Sequence, residues 1–387
     1  MKAVRGICPA GAMLALCGMT ACTYLGGVPG YTGLEPGSAL LARVRETTRR
    51  EGLADAKAEL VAGLEREDQS RGRLENRVIR TTADPEWVFP DSLASLSPEK
   101  RARTAIVIVP GTRAGNPRTK DRTRECLRGA ADAAREMGFA TWFIETEPRG
   151  TVEENARFIS GQMREAFAGS DSVILVMLSK GAHDVIRYLR EDGVDLPAGD
   201  RAKLAVVLSL AGTVQGSVVA DWMAHSPRPV PAFTRQWLRL SGQEEAIAML
   251  EDISRSPWEN GAASPIGSRF PRATWVSITM VPDGSDGRIT ERMWSPRVRG
   301  RVERTAPAYS PSDGLVESAA SVLPDDVSMP EWIVTGYGSH AMPNGTYRDG
   351  TRIAPRTTRP GRERLRPESG AEIMSAYLRA LPASLLH

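Results

Sequence analysis

The sequence predicts an α/β protein: a mostly parallel central sheet with helices on both faces, and a helical cap inserted between two late strands. Two observations lead to it. From residue 104 onward, short apolar, largely β-branched runs alternate with segments whose apolar residues recur every three or four positions, the pattern of strands joined by crossover helices. One of those runs, Ser172 to Leu178, stops on Ser179 and continues past Gly181 as a helix with Ala182, Val185, Ile186 and Leu189 on one face. The rest of the chain is organised around that serine.

The elements follow in order. Residues 1–21 read as a secretory signal: Lys2 and Arg5, an uncharged stretch from Gly6, then small residues, a segment too short to span a membrane. Met19-Thr20-Ala21-Cys22 resembles a lipobox, which implies a bacterial envelope lipoprotein lipidated at Cys22 and held to the membrane there. Cleavage and export as a soluble protein is the alternative. Residues 22–37, rich in Gly, Pro and Tyr, make a tether. Residues 38–100 form a helical extension: Ala39 to Glu67 carries Leu53, Ala56, Leu60, Val61 and Leu64 on one stripe, and a Pro-bounded loop follows. This extension either packs on the main domain or makes an oligomer contact. Once Cys8 and Cys17 leave with the signal and Cys22 is acylated, Cys126 is left over, so no intramolecular disulfide forms. Its apolar helical neighbours make it a small buried hydrophobe.

Residues 101–387 make up the globular domain. Thr104 to Val109 reads as a buried strand entering the turn-rich Pro110-Gly111-Thr112, followed by a helix over 125–137, a strand over 139–146 and a helix over 152–168. After the Ser179 turn and its helix comes a strand over 202–210. The stretch from about 220 to 272 is too long for a connection and too apolar for disorder; Trp222, Trp237, Leu238, Leu240, Ala246, Met249, Leu250 and Ile253 recur at helical spacing. It is read as a cap over the ligand end, or alternatively as helices that extend the core. Strands over 273–281 and 331–335 and a helix near 371–381 complete the domain.

The turn at Ser179 resembles the nucleophile elbow of an α/β-hydrolase, in which the hydroxyl sits exposed on a tight turn and N–H groups at the helix start face any developing oxyanion. An ordinary turn with Ser179 as helix N-cap is the other reading. Met177 and Gly181 occupy the two glycine positions of the G-x-S-x-G pattern. Ser312-Asp313-Gly314-Leu315-Val316 resembles the acid motif of bacterial lipases, and Gly338-Ser339-His340-Ala341 resembles their histidine loop. From Arg103 to the C-terminal helix the chain thus resembles the α/β-hydrolase superfamily, nearest its lipase and esterase members.

The resemblance implies an α/β-hydrolase fold and a triad in the chain order Ser179, Asp313, His340, with Asp283 and Asp286 as rivals for the acid. It also implies Thr112 and Lys180 N–H groups as oxyanion donors, and hydrolysis of acyl or lipid esters through an acyl-enzyme without metal or organic cofactor. His183, His225 and His387 read as surface residues. Four histidines without a ligand-like spacing argue against a metal site, and a net charge of +3 is too small to argue for nucleic acid. The basic run from Arg292 to Arg304 reads as a solvated loop. A non-catalytic envelope lipoprotein that keeps the fold as a binding or scaffold module is the competing reading, motivated by Met177 and Pro110.

Overall fold

The computed structural model describes residues 35–112, 122–227, 229–258, 266–282, 310–338, 340 and 367–386. Cys22, the tether up to residue 34, Asp283, Asp286, the basic run and His387 lie outside the described residues.

Six parallel strands form one sheet in the order β2-β1-β3-β4-β5-β6, with β1 Thr104–Val109, β2 Ala140–Phe143, β3 Ser172–Leu178, β4 Leu204–Leu210, β5 Thr274–Val281 and β6 Glu331–Tyr337. The strands sort their side chains with a period of two. Ile106, Ile108, Ile174, Val176, Val206, Leu208, Val276 and Ile278 face the helices Arg122–Glu136 and Pro367–Ala380. Ala105, Val107, Val109, Val173, Leu175, Met177, Val207 and Trp275 face the helices Val152–Gly169 and Lys180–Arg190. Both faces are covered, so the central strands carry apolar residues without alternation. Cys126 is buried in the first of these clusters.

Helices Val218–His225, Pro229–Leu240, Glu244–Ile253 and Ile266–Arg269 stand between β4 and β5, where the cap is expected. β2 is shorter than its apolar stretch; Ile144 still donates to Ile108 O (2.9 Å) before the chain turns.

The extension differs from its sequence reading in two places. The expected single helix over residues 39–67 is two, Ala39–Glu51 and Leu53–Glu67, because the chain turns at Gly52 with φ 99° and returns its N–H to Thr47 and Thr48 carbonyls. The expected loop after Glu67 contains a helix, Arg73–Ala83, whose few apolar residues, Leu74 and Val78 among them, join the core. Its other residues are mostly charged or polar, which masks the pattern.

The extension packs on the domain. Leu40, Leu41, Val44, Leu60 and Leu64 bury against Val281, Val316, Ala319 and Ile333. It also covers the free edge of β6: Gln69 N donates to Glu331 O (3.0 Å), Ile333 N to Asp68 Oδ1 (2.9 Å), and the Thr335 backbone to the Glu75 carboxylate. Carboxylates thus take the N–H groups that an open edge would offer to another chain.

Candidate active site

β3 ends and the Lys180–Arg190 helix begins at Ser179, which adopts φ 54° and ψ −125°, a left-handed conformation that costs a β-carbon-bearing residue of order 1–3 kcal/mol. The surroundings hold it there. Ser179 N donates to Leu210 O (3.1 Å), and Ser179 O accepts from Thr213 N (3.1 Å), Thr213 Oγ1 (3.3 Å) and Ala182 N (3.0 Å). The Ser179 side chain makes no capping bond, so the N-cap alternative does not describe it.

Strand and helix approach closely on the far side of the turn. A β-carbon on Gly181 would sit 2.8 Å from both Val109 O and Pro110 O, and one on Gly111 would sit 2.9 Å from Ser179 Cβ and 3.4 Å from Lys180 N. Only glycine fits either place. Met177 is accommodated because its side chain is fully buried in the hydrophobic cluster that the elbow helix shares with the sheet.

The serine hydroxyl reaches a buried chain of polar groups. Ser179 Oγ lies 2.7 Å from His340 Nε2, and His340 Nδ1 lies 2.8 Å from Asp313 Oδ2. With a neutral ring, Nδ1–H donates to the carboxylate and Nε2 accepts from the hydroxyl, the tautomer in which an imidazole takes a proton from an alcohol. All three residues are buried. Asp313 Oδ1 accepts from Leu315 N (3.0 Å) and Val316 N (2.9 Å), which fixes the carboxylate, and His340 N donates to Asp313 O (2.9 Å). The Asp313 loop is tied in turn to the extension. Glu317 accepts from Arg45 through Nε (2.9 Å) and Nη2 (2.5 Å) and from Ser310 Oγ (2.6 Å).

Thr112 lies on the loop after β1, against the elbow. Its hydroxyl donates to Pro148 O (2.7 Å), and Met249 Sδ of the cap lies 3.3 Å from the same oxygen. Lys180 supplies the first N–H of the helix, and its side chain is buried against Asp184.

One expectation fails on this helix: His183 does not face solvent, and neither does Asp184 beside it. Nearly every residue from Lys180 to Leu189 is buried, because the helix is packed on more than one side, so its polar residues sit in the interior. His183 Nδ1 lies 3.3 Å from Thr213 O, and burial pushes the imidazole down to about 3. Burial pushes the Asp184 carboxyl up, against the pull of Lys180 and Asn155. His225 is exposed beside Asp221, as expected. Thr213, Asn155 and Asp184 were not singled out by sequence reasoning. The Lys-x-x-x-Asp spacing directly after the serine, which puts Lys180 and Asp184 one helical turn apart, is the one signal that could have pointed to part of this group.

Fold and elbow together define the class: this is the α/β-hydrolase fold, an all-parallel sheet here, with a serine on the strand-to-helix turn. No protein-family model matches the chain, and no curated protein matches it in sequence. Among solved structures it is similar to a metagenomic carboxyl esterase, MGS0156, with a TM-score of 0.50 and 19% identity over 82% of this chain and 94% of that one. It is also similar to the mature lipase BlEst2 of Bacillus licheniformis, with a TM-score of 0.40 and 17% identity over 62% of this chain and 86% of that one. The first likeness supports the fold; the second is too slight to add to it.

Proposed function

We propose that this protein is a serine hydrolase that cleaves carboxylic esters, acyl or lipid, through an acyl-enzyme. The observation that carries the reading is the unbroken chain from Ser179 Oγ through the His340 ring to the Asp313 carboxylate, at 2.7 and 2.8 Å. An unassisted serine hydroxyl is a poor nucleophile, and this chain supplies what it lacks.

In the first half-reaction Ser179 Oγ attacks the ester carbonyl carbon while its proton passes to His340 Nε2. The tetrahedral oxyanion faces the N–H groups of Thr112 and Lys180. Collapse expels the alcohol, which takes the proton from His340 and leaves an acyl-serine. Water then attacks that ester, giving its proton to His340, and the carboxylic acid departs with Ser179 restored. Asp313 holds the ring tautomer and stabilises the imidazolium in both halves. The chemistry asks for no metal or organic cofactor. Removing one oxyanion donor costs about 10²–10³-fold in kcat where such sites have been probed.

The reading extends to place. Cys22 is proposed as a lipidated N-terminus that tethers the enzyme to the bacterial envelope, where its esters would be found. Metabolic labelling with an alkynyl fatty acid in a bacterial host should mark the wild type and not Cys22→Ala.

The catalytic test is a panel of p-nitrophenyl esters of rising chain length. Wild type should turn over part of the panel, Ser179→Ala should fall to background, and Asp313→Asn should lose about 10⁴-fold in kcat, as wrong-tautomer variants do. A folded wild type inert to the whole panel would favour the scaffold reading.

A further inference from the structure

We infer that Lys180, Asp184 and Asn155 are positioning residues, a buried polar chain that starts beside the nucleophile and sets the oxyanion loop against it through the Pro148 carbonyl and the Thr112 hydroxyl. This rests on the serine hydrolase reading above and assigns work to groups that the triad leaves unused.

Lys180 and Asp184, a turn apart on the elbow helix, are both 1% exposed, and Nζ lies 2.7 Å from Oδ1 and 2.9 Å from Oδ2. An ion pair so deeply buried is weak as a source of stability, because desolvation consumes most of the Coulombic gain and apolar residues of similar volume often do as well. Its worth lies in direction. Asp184 Oδ2 accepts from Asn155 Nδ2 (2.9 Å), whose amide then grips both backbone polar groups of one residue: Nδ2 donates to Glu147 O (3.0 Å) and Oδ1 accepts from Glu147 N (3.0 Å).

Asn155 is itself fixed. It lies on the first turn of a helix opened by a capping box, in which Thr151 Oγ1 accepts from Glu154 N (3.2 Å) and the Glu154 carboxylate accepts from Thr151 N (3.1 Å). The residue after Glu147 is Pro148, whose carbonyl takes the Thr112 hydrogen at 2.7 Å and whose ring restricts the backbone. Thr112 follows Gly111, the residue packed on Ser179. The chain therefore leaves the elbow at Lys180 and comes back to it at Thr112. The nucleophile and the loop bearing one oxyanion donor are referenced to each other through side chains that the triad does not use.

Displacing a reacting group by about 1 Å can cost about 10²-fold in rate. The expected result is a loss of tenfold to a hundredfold in kcat for Asn155→Ala, with KM within about twofold, and a similar loss for Thr112→Val, which keeps the backbone N–H and removes only the hydroxyl. The double variant should be no slower than the slower single, because both break one chain. Asn155→Ala opens a buried site, so folding is checked by thermal denaturation; Thr112→Val disturbs no core and serves if Asn155→Ala does not fold. Losses that multiply in the double variant, or a Thr112→Val enzyme as fast as wild type, overturn the inference while leaving the triad intact. A wild type that hydrolyses nothing and takes no fluorophosphonate instead removes the reading on which the inference rests.

Discussion

Replacing Arg45 by methionine tests whether the helical extension supports the proposed site. The guanidinium forms a two-pronged bridge to Glu317, at 2.9 and 2.5 Å, on the segment that presents Asp313. Glu317 is 1% exposed and Arg45 16%, so removing the cation strands a buried carboxylate. Breaking a buried pair from one side costs about 3–5 kcal/mol, and the partial exposure of Arg45 favours the lower end. For a unit of this length, ~3 kcal/mol corresponds to a fall of about 4 °C in Tm. Activity should suffer as well, because a loosened 310–317 segment no longer fixes Asp313 against His340; a kcat lower by about tenfold or more is expected, short of the 10⁴-fold loss of the carboxylate itself. Arg45→Met/Glu317→Gln should regain most of the stability, since no charge is left unpaired and Ser310 can still bond the amide. The assays are thermal denaturation followed by circular dichroism and steady-state hydrolysis of the best ester in the panel. A single variant that melts with the wild type, or a double variant no more stable than the single, would show that the Arg45–Glu317 bridge does not hold this segment.

Two further predictions concern pH. Burial pushes the Glu331 carboxyl up to about 7, where it accepts from Ser277 Oγ and Leu323 N. A raised folded-state value means that the native protein holds this proton more tightly than the unfolded chain, so stability falls as pH rises from about 4.5 to 7, by ~3 kcal/mol from this group. Glu331→Gln should flatten that part of the stability profile and melt above the wild type at pH 8; parallel profiles would count against it. His183 runs the other way. Its value is lowered to about 3 by burial, so its contribution is complete above about pH 6.5 and is lost as pH falls toward 3, at up to ~1.4 kcal/mol per unit. His183→Gln should weaken the acid dependence of urea unfolding over that window; an unchanged slope would contradict the assignment.

Much of the fold was legible in the sequence because the strands are buried on both faces and the helices between them are periodic. The Ser179 turn was legible because a strand-like run and a helical period meet at one residue, and Gly181 marks the approach that a side chain would block. The contact of Asp313 and His340 with Ser179 was anticipated from short fragments in the expected chain order; nothing in their spacing alone fixes a contact with a serine far upstream. The polar residues of the elbow helix were hidden for a physical reason. Amphipathic logic assigns polar side chains to solvent, whereas here Lys180 and Asp184 satisfy one another in the interior and His183 meets a backbone carbonyl. Asn155 gave no signal either, since its partners at Glu147 and Asp184 are set by the tertiary fold. Arg73–Ala83 was missed because it contributes only a narrow apolar stripe, and Gly52 divides a pattern that otherwise runs on as one helix.

Reaction of the purified protein with a fluorophosphonate, followed by mass spectrometry of its peptides, tests whether Ser179 is an activated nucleophile. One adduct on Ser179, lost in His340→Ala and blocked by prior denaturation, is the predicted result. A folded protein that takes no label, or takes it at another serine, would show that Ser179 is not the nucleophile.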